Sequence, residues 1–214
     1  MAMDRTARIT LVATGLGLFM IFLDALIVNV GLPSIQASFA VGEAGLQWVV
    51  AAYSLGMAVF IMTAATLADL HGRRLMYVIG IAAFTVASIV CGLAPSLEVL
   101  NWARGVQGVA AATANVTSLA LVSAAFPDAR DKARAIGIWT AIASVGTAVG
   151  PTLGGFLVEH WGWRSIFLVN VPVGIVVVFL ALRFVRESRD ERPRTLDVAG
   201  QALFMVTVAR SRTR

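Results

Sequence analysis

The chain has 214 residues, of which 58% are hydrophobic and 14% charged, and it carries a formal net charge of +5. A soluble domain is about 45–50% apolar and about 25% charged, so the composition excludes an ordinary water-soluble globule. The positive balance does not indicate nucleic acid, because the basic residues follow the loops between apolar runs rather than forming one patch.

Apolar runs fall at Ile9–Leu32, Leu46–Leu67, Leu75–Leu93, Val99–Phe126, Ala135–Val158 and Ile166–Leu182. A helix needs roughly 20 residues (about 17 at the least) to cross hydrocarbon about 30 Å thick. The runs are continuous rather than alternating, which predicts helices and not a β-barrel. The first is longer than the core of a secretory signal and is followed by further spans, so it reads as a retained helix. Cys91, the single cysteine, lies in the third run, and no intrachain disulfide can form. The expected fold is an all-α membrane protein. A short N-terminal stretch, 1–8, precedes a six-helix transmembrane bundle over 9–185. A basic linker, 186–197, then leads to an incomplete seventh helix and a basic tail, 198–214.

Charge sets the expected orientation. Arg5 and Arg8 precede the first run; Arg73 and Arg74 follow the second; Arg130, Lys132 and Arg134 follow the fourth; five arginines lie between 183 and 194. The alternate loops hold Arg164 with Glu43, Glu98 and Glu159. Positive loops stay cytoplasmic. Both ends of the bundle are therefore expected in the cytoplasm, and a nucleic-acid partner is not expected.

Within the spans only Asp24 and Arg104 are charged. A charge at the centre of a bilayer is costly, which makes such a residue a candidate functional site. At about 100° per residue Arg104, Gln107, Asn115 and Ser118 share one stripe, expected to face protein or a cavity rather than lipid. The alternative for this stripe is simple hydrogen-bonded packing between helices. In the fifth run Gly146, Gly150 and Gly154 recur every fourth residue, with Gly155 adjacent and Pro151 between them. This predicts either close helix packing or a shaped hinge. Between the second and third runs, Asp69, Gly72, Arg73 and Arg74 form a tight turn. The arginines can be ordinary anchors, while Asp69 suggests a gate latched by ion pairs.

These segments resemble the major facilitator superfamily, and within it the N-terminal half of the fourteen-helix drug:proton antiporters. LDALIVNVGLP (23–33) resembles that family's first-helix signature, ATLADLHGRR (65–74) its cytoplasmic loop motif and NWARGVQG (101–108) its fourth-helix arginine motif. VGTAVGPTLGG (145–155) resembles the antiporter motif, and WGWRSIFLVNVPVG (161–174) the entry to helix six. Ala65, Leu70 and Leu26 depart from the usual residues. The resemblance implies a major facilitator N-terminal bundle, helices one to three being an inverted repeat of helices four to six. It also implies proton coupling through Asp24 and Arg104 across a cavity lined by Gln107, Asn115 and Ser118. A cytoplasmic gating motif would comprise Asp69, Gly72, Arg73 and Arg74, and an antiporter hinge Gly146, Gly150, Pro151, Gly154 and Gly155. The expected partners are the lipid bilayer, protons and small hydrophobic or cationic substrates, with no cofactor or metal.

The apolar part of the tail, Val198–Ala209, is too short to span, so the chain reads as a fragment whose missing C-terminal half is required for transport. The alternative function class is a non-transporting membrane remnant, or a half-transporter needing a second chain. An enzyme is not expected: the sequence offers no nucleophile–base pair, metal-ligand cluster or phosphate loop.

Overall fold

The computed structural model describes residues 4–189, and every regular element among them is helical. The order is α1 (Arg5–Phe39), α2 (Glu43–His71), α3 (Arg73–Gly92), α4 (Leu97–Ala125), α5 (Ala129–Trp161), α6 (Ser165–Leu168) and α7 (Asn170–Phe184). Helices α6 and α7 are one span interrupted at Val169, which gives, among the described residues, six spans long and apolar enough to cross a membrane. The expected linker is described only as far as Arg189. The expected seventh helix, 198–214, lies outside the described residues.

The helices overrun the apolar runs that mark them. α1 has 35 residues, a rise of about 52 Å at about 1.5 Å each. Apolar composition marks only the part that needs hydrocarbon, whereas the backbone continues to satisfy its own hydrogen bonds at the interface. Ends are set by local chemistry. Asp128 accepts hydrogen bonds from the Arg130 and Asp131 amides (2.9 and 3.1 Å), capping α5. Gly72, at φ 110°, turns α2 into α3 through a backbone conformation that side chains resist.

The packing repeats itself. α1 lies mainly along α5 and α2 mainly along α4, while α3 packs on α4 and α7. Exchanging helix one with four, and two with five, turns the first contact into the second, as an inverted repeat requires. Both seams are built from glycine. A Cβ on Gly146 would lie 2.6 Å from the Phe19 carbonyl oxygen, and one on Gly108 would overlap the Tyr53 carbonyl. Lipid is as apolar as leucine, so close backbone contact and buried hydrogen bonds hold such helices together. Tyr77 Oη donates to the Ala13 carbonyl (2.9 Å), joining α3 to α1.

α3 and the sixth span are fastened at both ends. At one end Arg164 Nη2 donates to the Ala94 carbonyl (3.1 Å). At the other, Glu187 accepts from the amides of Arg74 (2.9 Å) and Leu75 (3.2 Å), and Arg74 Nη2 donates to the Leu182 carbonyl (2.5 Å).

Candidate functional site

Asp24 stands midway along α1 with its side chain fully buried. Helices α1, α3, α4 and α7 meet around it. Arg104 Nη1 donates to Asp24 Oδ2 (2.5 Å). Gln107, one helical turn further along α4, donates from Nε2 to Asp24 Oδ1 (3.0 Å), and Asn170 Nδ2 donates to the same oxygen (2.8 Å). Ser88 Oγ on α3 accepts from Gln107 Nε2 (2.8 Å) and Asn170 Nδ2 (3.4 Å). Each is buried, with Arg104 1% exposed and Asp24, Gln107, Ser88 and Asn170 at 0%.

Arg104 is held on three sides. Nε donates to the Val49 carbonyl (3.1 Å) and Nη1 also to Gln107 Oε1 (2.7 Å). The guanidinium lies 4.2 Å from the centroid of the Tyr53 ring and 5.8 Å from that of Phe167, faces that attract a cation. In low dielectric a charge is tolerable only when paired and hydrogen-bonded. The cluster meets that condition with Asp24 ionised, because every contact to its carboxylate comes from a donor. Protonating Asp24 would remove the counter-charge of Arg104 inside the bundle.

The other residues singled out in the sequence divide into groups. Gln107 belongs to the cluster. Ser118 is buried but donates locally to the Asn115 carbonyl (2.8 Å), and Asn115 is half-buried, both farther along α4 than the cluster. Gly146, Gly150 and Gly154 face α1. A Cβ on Gly150 would lie 3.3 Å from Leu26 Cβ, and one on Gly154 would lie 2.8 Å from Ile27 Cγ1. Gly155 lies off this face in open space, and Pro151 is exposed. The glycine stripe thus abuts the stretch of α1 that carries Asp24.

In the loop motif Arg73 Nη2 donates to Asp69 Oδ1 at 3.1 Å, with both side chains about a quarter exposed (21% and 24%). The Arg73 amide donates to the Ser188 carbonyl (3.0 Å). Glu187 occupies the start of α3, where two free amides and the helix dipole favour an anion. Its carboxylate would meet any Cβ placed on Gly72, at 2.8 Å.

Sequence reasoning missed Asn170, Ser88, Tyr53 and Glu187. Asn170 left a usable signal, being the only strongly polar residue in Ile166–Leu182. Glu187 left none, as one carboxylate in a charged linker. Among the described residues no three His, Cys, Asp or Glu side chains gather to hold a metal ion.

Six spans with inverted-repeat packing around a buried ion pair define a multi-pass membrane protein. The chain belongs to the Major Facilitator Superfamily, whose family model matches residues 14–212. It is 71% identical over 206 residues to the multidrug resistance protein Stp of Mycobacterium tuberculosis (strain CDC 1551 / Oshkosh), covering 96% of this chain and 38% of that protein. It is 54% identical over 202 residues to the drug efflux pump JefA of the same strain, covering 94% and 40%. The chain therefore spans about two fifths of the length of these relatives. Its fold is similar to a bacterial homolog of the human lysosomal transporter Spinster in an inward-facing, unoccupied conformation. There the TM-score is 0.72 at 19% identity, covering 94% of this chain and 48% of that one.

Proposed function

We propose that the chain forms the N-terminal bundle of a proton-coupled exporter of hydrophobic or cationic compounds, working by alternating access against a second bundle. In this reading it sits in the plasma (inner) membrane with its N-terminus cytoplasmic, as the basic loops favour. The similarity to Stp and JefA, named for drug resistance and drug efflux, supports the substrate class. The observation that carries the mechanism is the buried Asp24–Arg104 pair.

Asp24 carries the proton. Ionised, it locks α1 to α4 and α7 through Arg104, Gln107 and Asn170. Protonated, it no longer neutralises Arg104, and the loss of that charge attraction weakens the lock and favours the alternative arrangement of the bundles. A proton gradient biases the two populations, and a substrate that prefers one of them is driven against its own gradient.

The test is Asp24→Asn in a full-length transporter containing this bundle. Asparagine keeps the size of the side chain and cannot titrate. Proton-driven accumulation of a cationic dye in inverted vesicles should be lost while protein level in the membrane is retained. Dye export with the parent's dependence on pH would assign coupling to another group.

A further inference from the structure

We propose that Asn170 is the proton-state partner of Asp24: its amide donates to the ionised carboxylate and, after a half-turn about Cβ–Cγ, accepts from the protonated one. This rests on the reading of Asp24 as proton carrier and adds a second residue and a mechanism to it.

The argument is a count of donors and acceptors. A carboxylate only accepts, and three N–H groups supply it here, from Arg104, Gln107 and Asn170. A carboxylic acid must donate once, and a buried donor without an acceptor is strongly disfavoured. The acceptors around Asp24 are occupied. Gln107 Oε1 takes Arg104 Nη1 (2.7 Å) and Cys91 Sγ (3.6 Å). The Val49 carbonyl takes Arg104 Nε, and Ser88 Oγ takes both Gln107 and Asn170. Asn170 Oδ1 is the exception: it is buried and has no hydrogen-bond partner among the described residues.

A side-chain amide is a donor at one end and an acceptor at the other, and the ends exchange by rotation. Gln107 cannot use this freedom, since reversal would turn its NH2 against the Arg104 guanidinium. Asn170 is freer, because no partner among the described residues holds its oxygen; reversal gives up its donation to Ser88 Oγ (3.4 Å) and exchanges its donation to Asp24 for a bond accepted from it. The proton adds to Asp24 Oδ1, the oxygen away from Arg104, and forms an O–H bond there. Oδ1 keeps a lone pair for Gln107, Oδ2 stays with Arg104, and the new O–H donates to the reversed Asn170 Oδ1. Release is the same step backwards, and no other covalent bond changes.

The charged and titratable groups facing Asp24 are Arg104 from α4, Tyr53 from α2 and, behind Gln107, Cys91 from α3. The Tyr53 hydroxyl is turned to the Ile21 carbonyl (3.4 Å). Residues 135–158 of α5 and 165–182 of the sixth span contain no titratable side chain.

Infrared titration tests the proposal on the 214-residue chain reconstituted in phospholipid bilayers, with the side-chain carbonyl of asparagine carrying a carbon-13 label. A protonated carboxyl band that grows on acidification and is missing in Asp24→Asn belongs to Asp24. The labelled asparagine carbonyl should shift with the same midpoint, and that shift should be absent in Asn170→Ser. In Asn170→Leu the Asp24 band should move to the higher frequency of an unbonded acid. In Asn170→Ser, whose hydroxyl both donates and accepts, it should stay near the parent position. If the Asp24 band titrates but neither the asparagine carbonyl nor the Asn170→Leu spectrum responds, the Asn170 assignment is overturned and the coupling reading stands. If no band depends on Asp24 at any pH, the coupling reading falls and the Asn170 assignment falls with it. The labelled parent carries the decision even where Asn170→Leu does not fold.

Discussion

Asp24 meets Arg104 in the interior of the bundle, and Asp69 meets Arg73 at its edge. The functional groups are the same. The first pair is 2.5 Å apart, with side chains 0% and 1% exposed; the second is 3.1 Å apart, with side chains 24% and 21% exposed. An exposed pair gains little, because water and salt screen it and both side chains lose freedom. A buried pair is different in kind: its net contribution can be small, yet removing one partner strands the other in low dielectric. The interior pair is therefore one whose halves depend on each other, and the edge pair one whose halves can part at little cost.

Arg104→Leu should produce the largest effect. It leaves the Asp24 carboxylate buried without its counter-charge, which costs about 3–5 kcal/mol in comparable cases. Thermal unfolding in detergent should fall sharply, and export by a full-length transporter should vanish. Adding Asp24→Asn to Arg104→Leu should recover most of the stability and none of the export. Unfolding of Arg104→Leu at the parent's temperature would erase the distinction drawn between the two pairs.

Gly150→Leu should come next. Its side chain would enter the seam where a Cβ alone lies 3.3 Å from Leu26 Cβ. Overpacking of this kind costs about 1–3 kcal/mol. Membrane levels should be largely retained while drug efflux by a full-length transporter is lost, because α5 is displaced from the Asp24 segment of α1. Efflux at the parent rate would make the glycine stripe ordinary packing.

Asp69→Asn should have the smallest effect on stability, about 0.2–1 kcal/mol, and the difference should shrink further in high salt. The unfolding temperature measured at low and high ionic strength checks it. A large, salt-independent loss would mean that the edge pair is coupled to buried structure after all.

Much of this architecture is legible in the sequence, for identifiable reasons. A charge in an apolar run is conspicuous, so Asp24 and Arg104 stand out without any knowledge of what they touch. Glycines at every fourth position mark a face, though not the helix it meets; only the structure shows α1 there. The stripe from Arg104 to Ser118 was harder. A straight stripe outruns its partner when helices cross, so Gln107 reaches Asp24 while Asn115 and Ser118 lie beyond the cluster. Ser88 was hidden because a serine in a membrane helix is commonplace and usually bonds its own backbone, as Ser88 does to Phe84. Glu187 was hidden because its partners, Arg74 and Leu75, lie 113 and 112 residues away along the chain.

The two fastenings between α3 and the sixth span have a mechanical consequence. Arg164 ties one end of the pair to Ala94, and Glu187 with Arg74 ties the other. Sliding one helix past the other by a turn, about 5.4 Å, would break both ties together. Tilting as a pair breaks neither. Between them, α3 and the sixth span form a braced panel, held against sliding at both of its ends.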